Sequence, residues 1–323
     1  MNKEILCSIS TRGRYNTTLA MTLSAIINQT RKPDKLVLFD DNDEPKDLRE
    51  DTTYLNLFKM MEIKGLKWEC IFGQKKGQHY NHQIANKMGY EWVWRVDDDN
   101  IPEPDVLEKL MSHAKPGIGA VGGSILVPTD YHDETNVSGN ILKIDDEPNI
   151  QWSKITEEKY VDHLHCSFIY RAGIHDYNLG LSRVAHREET LFTYGLKLKG
   201  YQNLVIPDCI TWHLKCQTGG IRTEKEQLFI DDEKIFRNII NLKDSTIVVL
   251  NSGMGDHIVF KHVLPEIKNP LIFSCYPDIV PGRSIAEAIE ILGDIESYNI
   301  YAKMDEWKWK DSLENAFRKM YVK

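Results

Sequence analysis

The chain has 323 residues, of which 41% are apolar and 27% charged, a composition typical of a globular protein long enough for two domains. Its formal net charge of −8 disfavours a protein that grips nucleic acid or anionic lipid over its whole surface. No apolar stretch approaches the roughly 18 residues of a membrane-spanning helix, and the six cysteines form no C-x-x-C pair, which disfavours a zinc site and favours a reducing cytoplasm.

The first third of the chain alternates predicted strands and helices. Strands are predicted at residues 4–10, 35–39, 67–72 and 92–96, and helices at 16–27, 77–88 and 105–113. This alternation favours a mainly parallel sheet, whose ligands collect at the carboxyl ends of the strands. Three polar segments are therefore expected at one edge of the sheet, namely Thr11 to Arg14, Asp40 to Asp43, and Asp97 to Asp99.

The triplet Asp97-Asp98-Asp99 is the most informative motif. Three adjacent carboxylates repel one another unless a cation or a set of donors compensates them, so a divalent metal that carries a phosphorylated ligand is the natural counterpart. A solvated acidic turn is the alternative. The apolar strand before the triplet and the Pro-x-Pro-Asp helix start after it favour a binding site.

The middle of the chain continues the sheet. Residues 118–127 and 163–170 are predicted strands, and the stretch between them at 128–152, rich in Asp, Asn and Pro, is a predicted loop or insertion. A helix begins at Glu188 and Glu189 and runs through residue 199. A strand at 203–207 leading to 210–213, a Gly-rich flap at 217–222 and a charged helix at 224–241 complete the first domain.

The pattern restarts near Asp244, which predicts a domain boundary between residues 1–242 and 243–323. Strands are predicted at 246–250, 271–274 and 298–301, and helices at 257–267, 284–292 and 307–321. The Gly-rich turn from Ser252 to Asp256 opens a helix, which is a pattern that attracts phosphate. We favour a small α/β accessory unit over a second active site.

Taken in order, these motifs resemble the inverting family 2 glycosyltransferases with the GT-A fold, over about residues 4–215. The resemblance rests on Ser8 to Arg14, Asn28-Gln29-Thr30, Val37 to Asp41, the Asp97 triplet, and Glu188-Glu189 followed by Gly200-Tyr201. It implies a Rossmann-like α/β catalytic domain with a mainly parallel sheet. The turn at 252–256 faintly resembles that of heptosyltransferase-type enzymes, although about 80 residues are too few for a complete enzyme of that kind.

The resemblance also implies a nucleotide-diphosphate sugar as donor and Mn²⁺ or Mg²⁺ as cofactor. Asp99, Asp97 and His213 are the implied metal ligands, with a packed histidine as the alternative for His213. The residues expected at the donor are Thr11, Arg12, Arg14, Asp40, Asp41, Asn81, His82, Asp97, Asp98 and Arg222. Departures from the family pattern fall at Ser10, Arg12 and Glu189, and at Tyr80-Asn81-His82 in place of the family's Ala-Arg-Asn.

An inverting displacement needs a carboxylate that takes the proton of the acceptor hydroxyl. Glu189 stands at the position of the family's base, eleven residues before Gly200, and Glu188 would orient the acceptor or a neighbouring strand. The alternative is that both glutamates only favour the positive end of the helix dipole.

The function predicted from these motifs is a metal-dependent glycosyltransferase with a UDP-sugar as the first-choice donor. A sugar nucleotidyltransferase and a catalytically silent nucleotide- or sugar-binding module are the alternatives. A glycan or another hydroxyl-bearing molecule is the expected acceptor, with a protein side chain or a nucleic-acid base as lesser options. The sequence does not indicate an oligomeric state.

Overall fold

The computed structural model describes residues 4–128, 138–144, 147–216, 218–241, 246–250, 254–267, 270–274 and 299–302. The chain divides into two compact units, residues 1–234 and 235–323. The helices are Leu19–Ile27 (α1), Thr52–Ile63 (α2), Gln78–Asn86 (α3), Val106–Ser112 (α4), Glu188–Leu198 (α5), Glu226–Asn241 (α6) and Met254–Val263 (α7).

The strands of the larger unit build one long sheet and one hairpin. They are Ile5–Thr11 (β1), Lys35–Asp40 (β2), Lys67–Phe72 (β3), Trp92–Asp97 (β4), Asn100–Pro102 (β5), Ile118–Leu126 (β6), Ser138–Ile144 (β7), Glu147–Ser153 (β8), Lys159–Val161 (β9), Ser167–Arg171 (β10) and Gln202–His213 (β11).

The long sheet has the order β3-β2-β1-β4-β10-β6-β11-β5, with β9 on the side of β11. Within the run β3-β2-β1-β4 every adjacent pair is parallel, and β6 is parallel to β11. Strand β10 runs antiparallel between β4 and β6, and β5 and β9 run antiparallel to β11. The predicted α/β fold with a mainly parallel sheet is confirmed.

The register of β1 with its two neighbours aligns the strand ends that carry the polar motifs. Thr11 pairs with Asp40 of β2, and Ser10 pairs with Asp97 of β4. Because these strands are parallel, their carboxyl ends meet at one edge of the sheet. The three polar segments therefore converge there, as the alternating pattern predicts.

Both faces of the sheet are buried, which explains the nearly continuous apolar runs of its strands. Cys7 and Trp94 point into the core covered by α1, α2 and α4, whereas Leu6 and Val93 point into the core covered by α3 and α5. Burial of each such side chain is worth about 1.5–3 kcal/mol. This double core holds the sheet edge rigidly enough to position a site.

The structure differs from the sequence prediction at the loop expected over residues 128–152. Of the two alternatives, the loop is wrong for β7 and β8, which form an antiparallel hairpin with Ser138 opposite Ser153, whereas an insertion is compatible with this hairpin; residues 129–137 lie outside the described part. Gly139 packs so closely on Gln151 that an added Cβ would lie 1.5 Å from its carbonyl oxygen. Backbone hydrogen bonds between β7 and β8 stabilise this segment. Its sequence lacks a clear apolar pattern from which a strand could be predicted.

Helix α2 and the short strands β5 and β9 are additions to the predicted elements. Helix α2 has the usual signals, because Asp51 caps its amino terminus and Tyr54, Phe58 and Met61 bury one face at helical spacing. The two short strands have three residues each, too few for a period-2 pattern to be visible.

The smaller unit contains a parallel three-stranded sheet of Thr246–Leu250 (β12), Pro270–Ser274 (β13) and Asn299–Ala302 (β14). Helix α7 begins at Met254, so Gly255 lies in the helix and not in the turn predicted before it. The rest of that turn, residues 251–253, and the helices predicted at 284–292 and 307–321 lie outside the described residues. In the described part of the chain, no helix combines the length and apolar character needed to cross a bilayer.

Candidate active site

A cavity of about 420 Å³ opens at the carboxyl ends of β1, β4 and β11 in the larger unit. This volume lies within the range of small-ligand sites, about 300–1,000 Å³. Most of the predicted site residues line it, including Thr11, Arg12, Arg14, Asp41, Asp97, Asp98, Asp99, Glu189 and His213. The fold thus brings residues more than 200 positions apart to one place.

Asp98 is held by donors from the end of β1. Its carboxylate accepts hydrogen bonds from the Thr11 hydroxyl at 2.7 Å and the Arg12 backbone N–H at 3.3 Å, and Arg14 Nη1 lies 2.7 Å away. Burial raises the pKa of Asp98 to about 6, although the Arg14 charge and the Thr11 hydrogen bond act in the opposite direction.

Asp99 is placed against His213 by the short strand β5. Asn100 of β5 pairs with His213 of β11, and the Asp99 carbonyl accepts the Leu214 N–H at 3.0 Å. His213 Nε2 then lies 3.5 Å and Arg14 Nη1 2.8 Å from Asp99 Oδ2. Burial opposes ionisation, but the hydrogen bond and charge of His213, followed by the charge of Arg14, lower the pKa of Asp99 to about 2. Asp99 is therefore a carboxylate throughout the physiological pH range.

Asp97, the last residue of β4, forms part of the cavity wall. Its Oδ1 lies 3.0 Å from Arg95 Nη2 but makes no hydrogen bond to any described residue. Burial raises the pKa of Asp97 against the lowering effect of the Arg95 charge. The protein's own Arg14, Arg95 and His213 thus supply part of the compensation that the carboxylate triplet needs.

Arg95 links this triplet to the two glutamates at the start of α5. Its side chain is fully buried in the middle of β4, donates to the Cys166 carbonyl at 3.1 Å, and lies 3.0 Å from Glu189 Oε2. It also forms an ion pair with Glu188. The sequence interpretation overlooked Arg95, although a single arginine inside an apolar strand signals a buried charge partner.

The two glutamates have opposite environments. Glu189 faces the cavity, and its Oε1 lies 2.6 Å from His165 Nδ1. The charges of Arg95 and His165 outweigh the effect of burial and lower the pKa of Glu189. Glu188 is fully buried behind it, where burial raises its pKa and Gln78 donates a 3.1 Å hydrogen bond. Of the two glutamates, only Glu189 is therefore an ionised carboxylate that faces the cavity.

The loop before α5 is fixed by Asp232 of α6. Its carboxylate accepts hydrogen bonds from the Ser182 N–H at 2.6 Å and hydroxyl at 2.9 Å, and from the His186 N–H at 2.8 Å. Arg187, the residue before Glu188, has a left-handed φ of 68°. These contacts turn the chain so that the first turn of α5 meets Arg95.

Three residues predicted at the donor do not line the cavity. Asp40 braces the loop after β2, where it accepts from Tyr15, the Asn42 N–H and the Lys46 N–H. Asn81 and His82 are fully buried and bond to Ser10 and Ser8 of β1, so they lie behind the cavity wall. Sequence spacing placed them on α3 but did not determine which face of the helix packs on the sheet.

Asp41 and two residues of the flap, Gly220 and Ile221, also line the cavity. Asp41 Oδ2 accepts the Gly77 N–H at 2.9 Å, whereas Asp41 Oδ1 has no hydrogen-bond partner in the described part of the chain. Gly219 packs directly against Gly13, because a Cβ added to Gly219 would lie 2.6 Å from the Gly13 carbonyl oxygen. Arg222 belongs to the 3₁₀ turn Gly220–Thr223, but its side chain, like residue 217, is outside what the structure describes.

Trp152 of β8 is a cavity residue that the sequence interpretation did not select. Its side chain is 43% exposed, and its ring lies edge-on to His163 at 5.0 Å and to His165 at 5.2 Å between centroids. It therefore offers a large apolar face to a ligand beside Glu189.

Comparison with known proteins gives both family and fold relatives. Residues 9–178, just over half of the chain, match the model of glycosyl transferase family 2. The galactofuranosyltransferase GlfT1 of Mycolicibacterium smegmatis is 26% identical in an alignment of 175 residues that covers 49% of this chain and 49% of that protein. The chain thus matches about half the length of this relative.

Two solved structures of S. aureus TarS, residues 1–349, share the fold. The complex with UDP-GlcNAc is 14% identical, covers 75% of this chain and 67% of that one, and has a TM-score of 0.52. The complex with UDP is 12% identical, covers 75% and 66%, and has a TM-score of 0.50. At these identities the likeness concerns the fold alone.

Proposed function

Since the chain belongs to glycosyl transferase family 2, we propose that it transfers a sugar from a nucleotide-diphosphate sugar to an acceptor hydroxyl with inversion of configuration. The observation that carries this proposal is the pairing of two carboxylate groups in one cavity. Asp97, Asp98 and Asp99 line one part of it with Arg14, and an ionised Glu189 lines another part beside Arg95. Such an arrangement separates a donor side from an acceptor side.

The donor side fits a divalent cation. Asp99 is kept ionised, His213 Nε2 lies beside it, and Asp97 has a carboxylate oxygen without a hydrogen bond to the described residues. Carboxylate oxygens and an imidazole nitrogen suit Mn²⁺, and the carboxylates suit Mg²⁺. We propose Asp99, Asp97 and His213 as the ligands. When bound, the ion would neutralise charge on the diphosphate leaving group.

The remaining donor contacts come from the ends of β1 and β2. Thr11 and Arg14 carry donors for phosphate oxygens, while Asp41, with its unpartnered Oδ1, is suited to accept from the nucleotide base. Asp41 replaces Asp40 in this role, because Asp40 is committed to its own loop. UDP-sugars are the first to test, because the TarS structure of similar fold was solved with UDP-GlcNAc.

On the acceptor side, Glu189 takes the proton of the acceptor hydroxyl while the hydroxyl oxygen bonds to the anomeric carbon. The bond from that carbon to the diphosphate oxygen breaks on the opposite face, which inverts the configuration. Arg95 and His165 hold the two oxygens of Glu189 in place, and Glu188 anchors Arg95 from behind. Trp152 offers its exposed face to a sugar ring, which supports a glycan acceptor.

Thermal unfolding with UDP, GDP, CDP, ADP and TDP, each with and without Mn²⁺, tests the donor site. A nucleotide at about 100 times its dissociation constant stabilises the protein by roughly 2.7 kcal/mol, which moves the midpoint by a few degrees. We expect a metal-dependent shift with one nucleotide, followed by transfer from the corresponding sugar nucleotide. The absence of a shift with all five nucleotides would contradict the proposal.

A further inference from the structure

Beside the donor site lies a second group of metal-ligating side chains, formed by His165, Cys166 and His213. One donor atom of each lies within 4.8 Å of those of the other two. His165 and Cys166 precede β10, and His213 ends β11, so the group is assembled only in the folded sheet. Its sulfur and nitrogen donors differ from the oxygen-rich set of Asp97 and Asp99.

The two ring nitrogens of His213 face different partners. Nδ1 lies 3.6 Å from Cys166 Sγ, whereas Nε2 lies 3.5 Å from Asp99 Oδ2. Zn–S and Zn–N bonds of about 2.3 and 2.0 Å at a tetrahedral angle separate sulfur from nitrogen by about 3.5 Å. Cys166 and His213 are thus already at the spacing of two ligands on one zinc ion.

His165 is oriented in the manner of a zinc ligand. Its Nδ1 lies 2.6 Å from Glu189 Oε1, which leaves Nε2 for an ion. A histidine that binds a metal through one nitrogen commonly donates the other N–H to a carboxylate, which fixes the tautomer and the ring plane. Glu189 provides that carboxylate here.

Cys166 is held in an unusual backbone conformation. Its φ is 51°, in the left-handed region that non-glycine residues rarely adopt, and its carbonyl accepts from the buried Arg95. The neighbouring Ser167 N–H bonds back to the His165 carbonyl at 2.6 Å. Residues kept in such conformations concentrate at functional sites and ligand clamps.

We propose that His165, Cys166 and His213 form a binding site for a borderline or soft divalent cation, Zn²⁺ first, that excludes the hard ion of the donor site. The Cys166 thiol releases its proton to solvent as its sulfur binds. A neutral His213 that binds through Nδ1 carries its proton on Nε2, which then donates to Asp99 and is closed to a second ion. Because His165 is bonded to Glu189, an ion here also restrains the carboxylate of the acceptor side.

The binding site itself is independent of the proposed function. Its expected effect on transfer is inhibition, because the bound ion excludes the donor-site cation, and this effect rests on the proposed function. Titration of the metal-free full chain with Co²⁺ as a zinc probe reports thiolate ligation through the thiolate-to-cobalt charge-transfer band in the near ultraviolet. We expect this band in the native chain and its loss in Cys166→Ser, with Zn²⁺ affinity at least 10-fold lower. Cys216→Ser is the matched control, because its thiol lies outside the group, and it should keep the band.

A native chain without the band, or a band that persists in Cys166→Ser, would overturn the site. His165→Gln gives a second variant, and circular dichroism with thermal unfolding shows that each variant folds. Transfer with Mn²⁺ is then measured with and without Zn²⁺ for each protein. The fraction of transfer that Zn²⁺ inhibits should be at least 10-fold smaller in Cys166→Ser than in the native chain. The absence of transfer in every protein, the native chain included, would contradict the proposed function. The cobalt titration would then still decide whether the metal site exists.

Discussion

The two ends of the cavity neutralise their carboxylates in different ways. The aspartate end, Asp97 to Asp99, receives donors from several short segments, including Thr11, Arg14 and His213. The glutamate end, Glu188 and Glu189, depends mainly on one fully buried cation, Arg95. At the aspartate end the pKa is raised for Asp97 and Asp98 and lowered for Asp99, and at the glutamate end it is raised for Glu188 and lowered for Glu189. The difference shows that side chains from several segments compensate the aspartate end, whereas one buried arginine provides most of the compensation at the glutamate end.

The largest effect on the transfer rate is expected from Glu189→Gln, which tests whether the glutamate end takes part in the reaction. Gln keeps the shape but cannot accept the proton, so the transfer rate should fall by about 10²–10⁴-fold. Single-turnover transfer at saturating donor measures it. Glu188→Gln is the matched control, since Glu188 does not face the cavity, and an equal loss in both variants would remove the distinction between the two glutamates.

Replacement of Arg95 by Met should cause the largest loss of stability at the glutamate end. Removal of one partner of a buried ion pair leaves uncompensated charge and typically costs about 3–5 kcal/mol. Urea unfolding of Arg95→Met measures this loss, and Arg95→Lys should recover part of it because the charge remains. A stability close to that of the native chain would mean that Glu188 and Glu189 do not depend on Arg95.

Arg14→Met provides the corresponding test at the aspartate end. Asp98 keeps the Thr11 hydroxyl, and Asp99 keeps His213 and the Cys216 N–H at 3.2 Å. The expected cost is therefore about 1.5–3 kcal/mol, the value of hydrogen bonds to a charged group. Urea unfolding under the same conditions compares it with Arg95→Met, and an equal or larger cost at Arg14 would reverse the comparison.

The smallest predicted effect is the acid sensitivity of the helix that carries the glutamates. His175 packs on Gly195 of α5, and burial lowers its pKa to about 4 from an ordinary value of 6.5. Between these values the unfolded chain takes up a proton that the folded chain does not, so stability falls as the pH falls below 6.5.

From pH 7 to 5.5, His175 should account for a loss of about 1.2 kcal/mol in the free energy of unfolding. Over the same pH range, the free energy of unfolding of His175→Gln should fall less than that of the native chain, by the amount that His175 contributes. Urea unfolding at the two pH values measures both proteins. Identical pH dependences would show that the pKa of His175 is the same in the folded and the unfolded chain.

The strand ends and the acidic motifs could be predicted from the sequence. Asp97 and Glu189 follow or begin strongly patterned elements, and the match to glycosyl transferase family 2 confirms the family that those motifs indicated. Arg95 and Trp152 were overlooked because a single residue carries no periodicity. Asp40 and His82 were assigned to the donor because strand and helix positions alone do not show which side chains the neighbouring loop or sheet covers.

Local sequence determined the order of strands and helices, since hydrophobic periodicity, turn residues and caps act over a few positions. It also determined that carboxylates would gather at one edge, because parallel strands share their carboxyl ends. Only the tertiary structure decided which groups compensate them. The pairings of Arg95 with Glu188, His165 with Glu189, and Cys166 with His213 join residues 24 to 93 positions apart. Such contacts depend on sheet order and register, which a one-dimensional pattern does not specify.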